Sequence, residues 1–131
     1  MKGLDTNILI RLLVADDAVQ TRRVAGLLQS AESSGESYFV SSLVLLELVW
    51  VLESAYECTR EEVLDALERL TMMPVLSIDN LDAVHRAIFL GRKSKQDIDD
   101  LIIGCCAVAN GCSSVLTFDK LAARCELFER L

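Results

Sequence analysis

Short apolar runs alternate with stretches of helical period along the chain. Lys2-Gly3-Leu4 is too short to assign by periodicity alone, but Asp5-Thr6-Asn7 follows it and the apolar segment Ile8 to Val14 comes next. This predicts a strand-to-helix turn at Asp5-Thr6, with Asn7 as the helix cap. Asp17 and Gln20 stand three apart, as in a capping box, and Thr21, Val24, Ala25, Leu28 and Ala31 follow at helical spacing. Glu32 to Ser37 reads as a surface loop. Tyr38-Phe39-Val40 is a second apolar run ending in the helix cap Ser41-Ser42, and Leu43 to Ala55 continues as a helix that is apolar nearly all round, with Glu47 the exception.

Thr59-Arg60-Glu61-Glu62 is a capping box, followed by the buried stripe Val63, Leu64, Leu67 and Leu70, and Pro74 stops that helix. Val75 to Ile78 predicts another strand, after which Asp79 or Asn80 caps a helix carrying Leu81, Val84 and Ile88. Gly91 to Gln96 reads as a polar, basic loop leading into Asp97-Ile98-Asp99-Asp100 and an apolar helix that stops at Asn110-Gly111. Val115-Leu116-Thr117 is a strand, Leu121 to Ala123 a helical turn, and Leu127 to Leu131 an edge strand. Strands alternating with helices imply a parallel sheet with right-handed crossovers and helices on both faces.

Composition narrows this to a compact, helix-rich domain spanning 1–131, because 52% of residues are hydrophobic and only one is proline. The longest apolar run, Leu43 to Leu52, is interrupted by Glu47 and falls short of the roughly 20 residues that span a membrane. It predicts a buried helix. No basic, apolar and small-residue leader opens the chain, so the cytoplasm is the expected location. Five cysteines without C-x-x-C spacing, beside the single His85, argue against zinc and disulfide frameworks. Cys105 and Cys112 are expected as buried, reduced thiols near one helical face, and His85 as a partly buried structural residue. The formal charge of −7 opposes holding nucleic acid by bulk electrostatics, although acids gathered around bound cations would leave the remaining surface less hostile to a polyanion. The same charge suits a basic partner segment.

Ligands of open parallel α/β sheets bind outside the carboxyl ends of the strands. Asp5 lies there, and Glu47, Asp100 and Asp119 are the later acids that could reach the same mouth. An unpaired Glu47 carboxylate in so apolar a helix would cost several kcal/mol unless a cation or a shifted pKa relieved it, a salt bridge to an arginine being the plainer alternative. Asp97 and Asp100 share a helix face while Asp99 points elsewhere, and the helix dipole alone would account for Asp97 and Asp99. Oxygen-only ligands fit Mg²⁺ or Mn²⁺ better than zinc. A divalent cation activating water and steadying a phosphoryl oxygen points to phosphodiester hydrolysis. Without metal the acids should repel one another and some of their pKa values should rise.

Gly3-Leu4-Asp5-Thr6-Asn7, Glu47-Leu48-Val49-Trp50-Val51-Leu52, Asp97-Ile98-Asp99-Asp100-Leu101-Ile102 and Leu116-Thr117-Phe118-Asp119-Lys120, in this order and at these separations, resemble a PIN-domain protein of the VapC toxin type. The resemblance implies a three-layer α/β/α fold with a central parallel sheet, Mg²⁺- or Mn²⁺-dependent ribonuclease activity, a homodimer, and neutralisation by a VapB-like antitoxin. It matches Asp5, Glu47, Asp100 and Asp119 to the family's acidic metal-binding set and Thr6 and Thr117 to the polar residues beside it. Ile98 and Asp99 stand where similar proteins often carry an aromatic residue and an alanine. The site entrance is therefore more acidic and less able to stack a base, and Asp97 or Asp99 becomes a candidate outer-shell metal ligand. Candidate RNA contacts are Arg11, Lys93, Lys95, Lys120 and Arg124 acting collectively, and Trp50 is expected in core or dimer packing. Two other readings compete: a PIN-fold binding module without turnover, and a receiver-type phosphoacceptor domain. The second needs an acidic pair after its first strand and a phosphorylatable Asp after a middle one, where this chain has Thr6-Asn7 and Ser41-Ser42.

Overall fold

The computed structural model describes residues 1–131. In chain order the elements are β1 (Lys2–Gly3), α1 (Thr6–Leu13), α2 (Ala18–Ser34), β2 (Tyr38–Val40), α3 (Ser42–Ser54), α4 (Arg60–Thr71), β3 (Leu76–Ile78), α5 (Leu81–Lys93), α6 (Ile98–Ala109), β4 (Val115–Thr117), a 3₁₀ turn (Ala122–Arg124) and β5 (Phe128–Arg130). The architecture is three-layer α/β/α, with every strand pairing parallel. The expected single central sheet is hydrogen-bonded in two pieces. One runs β1-β2-β3, with Lys2 opposite Tyr38 and Tyr38 opposite Leu76; the other pairs β4 with β5, with Val115 opposite Phe128. Strands of two or three residues leave few ladder bonds to carry one sheet across the molecule.

Local capping follows the sequence in most places and departs from it instructively in three. Asp5, not Asn7, caps α1: its Oδ1 accepts from the Ile8 backbone N–H at 3.3 Å, so the helix begins at Thr6. Asp17 caps α2 through the Gln20 backbone N–H at 3.0 Å. Gln20 closes no box, because its Oε1 instead accepts from Arg11 Nε at 2.6 Å. α2 also runs on through Glu32 to Ser34, where a loop was expected, and ends at Gly35 in the left-handed conformation at φ 74°. At α4 the box is complete, with Thr59 Oγ1 accepting from the Glu62 N–H at 3.2 Å and Glu62 Oε1 from the Thr59 N–H at 2.8 Å.

Asn80 occupies the N-cap position of α5 but makes no capping bond with its side chain. The side chains of Asp79 and Asn80 both turn to Ser42, whose Oγ donates to Asp79 Oδ2 at 3.2 Å and accepts from Asn80 Nδ2 at 3.1 Å, tying the β3–α5 turn to the start of α3. Gly91, read as the start of a loop, is buried inside the last turn of α5. A Cβ there would stand 2.8 Å from Leu64 Cδ2, and the Gly91 carbonyl accepts two bonds from the Arg60 guanidinium at 3.0 and 3.2 Å.

A continuous core joins Leu9 and Ile10 of α1, Val40 of β2, Leu45, Leu48, Val49 and Leu52 of α3, Leu64 and Leu67 of α4, and Leu101 and Ile102 of α6. The other face of α3 is not buried. Glu47 is exposed and Trp50 is 67% exposed, so Trp50 is not core packing and the desolvation penalty expected for Glu47 does not arise. His85 is likewise exposed, because it falls on the outward side of α5 next to Val84 and Ala87, which face in. Cys105 is buried in α6, but Cys112 lies beyond the helix end and is exposed. No helix is long and apolar enough to cross a membrane.

Candidate active site

The first turn of α6 gathers the densest acidic group. Asp97 occupies the N-cap position but makes no capping bond with its side chain. Asp99 Oδ1 accepts from the Asp100 backbone N–H at 2.8 Å. One carboxylate oxygen from each of Asp97, Asp99 and Asp100 lies within 4.8 Å of the others. Asp99 therefore joins the group that Asp97 and Asp100 were expected to form without it. Burial first, then the charges of Asp99, Asp97 and Asp119, raise the Asp100 carboxyl above its ordinary value, so like-charge repulsion adds to a rise led by desolvation.

Asp119 enters this field from the far end of β4. Its backbone N–H donates to Thr117 Oγ1 at 3.0 Å, and its Oδ1 accepts from the Leu121 and Ala122 N–H groups at 2.8 and 3.2 Å. Asp5 is held in the same way at the end of β1, by one oxygen on the α1 N-terminus. In each case the second carboxylate oxygen has no protein donor, so the local fold fixes the side chain and leaves an acceptor free. Thr6, directly after Asp5, is only 5% exposed and is the one buried polar residue. Asp5, Glu47 and Asp119 stand outside the group of carboxylates within 4.8 Å of one another. The tight acidic centre is thus Asp97-Asp99-Asp100, with Asp119 electrostatically coupled to it.

Sequence reading passed over Glu53, at the end of α3. Its carboxyl is raised by burial and by the charges of Asp99 and Asp97, with Arg60 acting in the opposite sense. No spacing pattern marks it, since it is brought to the α6 N-terminus only by the packing of α3 on α6. Gln96, Leu121 and Ala122 were missed for the same reason. Together with Lys95, Asp97, Asp100 and Arg124 they line a cleft of about 140 Å³.

The five candidate RNA-contacting cations divide sharply. Lys95 and Arg124 line the cleft. Arg11 is committed elsewhere, to Asp16 at 2.5 Å and to Gln20; Lys93 lies over the Phe89 ring, 4.1 Å from its centre. Lys120 is exposed beside Asp119 in the chain and does not line the cleft. As a cation site the acidic group offers oxygen donors alone, in a place where negative charge is already crowded enough to raise a pKa. That donor set fits a hard divalent ion and not zinc.

A parallel α/β fold with aspartates on the turns after β1 and β4 and an acidic first turn on α6 is the arrangement of the PIN domain, whose family model matches residues 3–126. The chain belongs to the PIN-domain family, which sets the receiver-type reading aside. A VapC ribonuclease of Aquifex aeolicus (strain VF5) is 25% identical over 120 residues, covering 92% of this chain and 88% of that protein.

Proposed function

We propose that residues 1–131 act as a single PIN domain and that the protein is a VapC-type endoribonuclease toxin, hydrolysing RNA phosphodiester bonds with Mg²⁺ or Mn²⁺ in the cytoplasm. The observation that carries this reading is the Asp97-Asp99-Asp100 carboxylate group, charge-coupled to Asp119 and opening on a cleft that also holds Lys95 and Arg124. The similarity to a VapC ribonuclease supports the substrate class and a VapB-like antitoxin as inhibitor.

Asp100 is the central ligand, because burial and the charges of Asp99, Asp97 and Asp119 oppose its ionisation and a cation would relieve them. Asp5, Glu47 and Asp119 complete the metal-binding and catalytic set. Asp5 and Asp119 are each held by backbone N–H groups of the turn that follows, with one oxygen free, and Glu47 is on the exposed face of α3. Thr117 supports Asp119 through its hydroxyl, Thr6 is buried beside Asp5, and Asp97 acts in the outer shell. The metal, when bound, supplies an activated water and neutralises charge on the phosphoryl oxygens. Exposed Leu43 and Trp50 on α3 are compatible with a homodimer.

Purified, antitoxin-free protein should cut a mixed RNA pool with Mg²⁺ or Mn²⁺ and not in EDTA, and Asp5→Asn and Asp100→Asn should each abolish cutting. Saturating metal should also raise the melting temperature of the wild type, and less so that of both variants. Intact RNA under every metal condition, with the metal-induced stabilisation preserved, would instead identify a PIN-fold binding module without turnover.

A further inference from the structure

We infer that Lys95 and Arg124 form a two-point phosphate clamp that threads an unpaired RNA strand past the carboxylates, with Leu121 as the exposed apolar surface of the same cleft; this rests on the ribonuclease reading above. The two cations arrive from distant parts of the chain. Lys95 sits on the turn between α5 and α6, and Arg124 closes the 3₁₀ turn that follows Asp119. Both line the same cleft as Asp97 and Asp100.

Proximity to acids would ordinarily consume such cations in ion pairs. Here it does not: the ion pairs of the molecule are Arg11 with Asp16, Arg86 with Glu126, and Arg92 with Glu61, Asp65 and Glu68. Lys95 and Arg124 remain unpaired beside two carboxylates, free to meet an anion. On a chain of net charge −7, a polyanion can be held only where positive charge is local, and these are the candidate cations placed at the acids. Leu121 is 64% exposed although it lines the cleft. A large apolar side chain left open in the same cleft as two unpaired cations suits a ribose or an unstacked base, which an unpaired strand presents and a duplex hides.

The test measures binding of a labelled, unstructured oligoribonucleotide to the full chain in the non-cutting Asp5→Asn background, from about 50 to 200 mM monovalent salt. Each phosphate contact to a single strand contributes about −0.7 to the slope of log affinity against log salt. Adding Lys95→Ala and Arg124→Ala together should therefore flatten that slope by about 1.4 and weaken binding roughly tenfold or more at the low-salt end. In the cutting protein the same pair should raise KM with a smaller change in kcat. Lys95→Arg with Arg124→Lys should restore the slope, Lys93→Ala should leave it unchanged, and a duplex of the same sequence should compete poorly.

An unchanged slope in the double alanine variant, with RNA still bound and cut by the wild type, overturns the clamp and leaves the ribonuclease reading standing. So does an equal loss in Lys93→Ala, which would show diffuse surface charge. A wild type that binds no RNA at all overturns both.

Discussion

Two aspartates respond to their surroundings in opposite directions, and opposite effects on stability are expected from them. Asp16 is held below the usual carboxylate range, first by the hydrogen bond from the Tyr56 hydroxyl at 2.9 Å and then by Arg11. A depressed folded pKa contributes stability that is present above the unfolded value and is lost as pH falls through the folded one. Asp100 is raised by burial and by Asp99, Asp97 and Asp119. Without metal, its contribution is therefore complete below the unfolded pKa and disappears as pH rises through the folded pKa. Asp100→Asn should leave the metal-free protein as stable as the wild type at neutral pH, or more stable by up to about 1 kcal/mol, the ceiling for solvent-screened charges, while abolishing cleavage. Tyr56→Phe should lower stability at neutral pH and less so once Asp16 is protonated. Urea unfolding in EDTA across the acidic to neutral range measures both. An Asp100→Asn variant clearly less stable than wild type at neutral pH would make Asp100 a structural residue.

α6 carries the acidic turn at one end and is fixed near its middle by a glycine. A Cβ at Gly104 would lie 2.9 Å from Leu127 Cβ and 3.1 Å from the Phe128 ring, both in the chain entering β5. Gly104→Ala gains up to about 1 kcal/mol in helix propensity but forces a backbone-anchored neighbour to move, at a cost of typically 1–3 kcal/mol. The net expectation is destabilisation by about 1–2 kcal/mol with reduced cleavage, since α6 and β4–β5 bring Asp100 and Asp119 together. Gly26→Ala, in α2, meets nothing within 4 Å and should stabilise by about 0.5–1 kcal/mol. Thermal or urea melts of the pair read the difference directly, and similar behaviour of the two variants would remove the close approach as an explanation. Glycine also marks where sequence reading at this scale reached its limit. Capping was legible at Asp17, Ser41 and Thr59 because the partners are three residues apart. Gly91 reads as a loop in the sequence because the residue it makes room for, Leu64, is on another helix. The sequence pattern turns Asp99 away from Asp97 and Asp100 and turns Glu47 inward, against the structure, for a related reason: helical spacing gives relative direction on one element but not which side another element covers.

Over the whole molecule, the acids are legible one by one in the sequence, and helical spacing also pairs Asp97 with Asp100. Asp99 beside them, and Glu53, which reaches the same field only through the packing of α3 on α6, are not legible there. The cleft has a further asymmetry. Asp97 and Asp100 stand on α6, whose Leu101, Ile102 and Cys105 are buried in the core. Asp119, Leu121 and Arg124 stand on the β4-turn-β5 segment, hydrogen-bonded apart from the main ladder, with Leu116 and Phe118 exposed. Segments with few buried apolar contacts open at lower free energy than the core, so the amides of residues 117–124 should exchange with solvent faster than those of β2 and α6. A cation shared by Asp100 and Asp119 would tie the weaker segment to the stronger one. Saturating Mg²⁺ or Mn²⁺ should therefore slow exchange across 117–124 more than across β2, and Asp119→Asn should erase the difference, as followed by hydrogen-exchange mass spectrometry. Slowing confined to the first turn of α6 would instead restrict the metal to Asp97, Asp99 and Asp100, and would remove Asp119 from the ligand set.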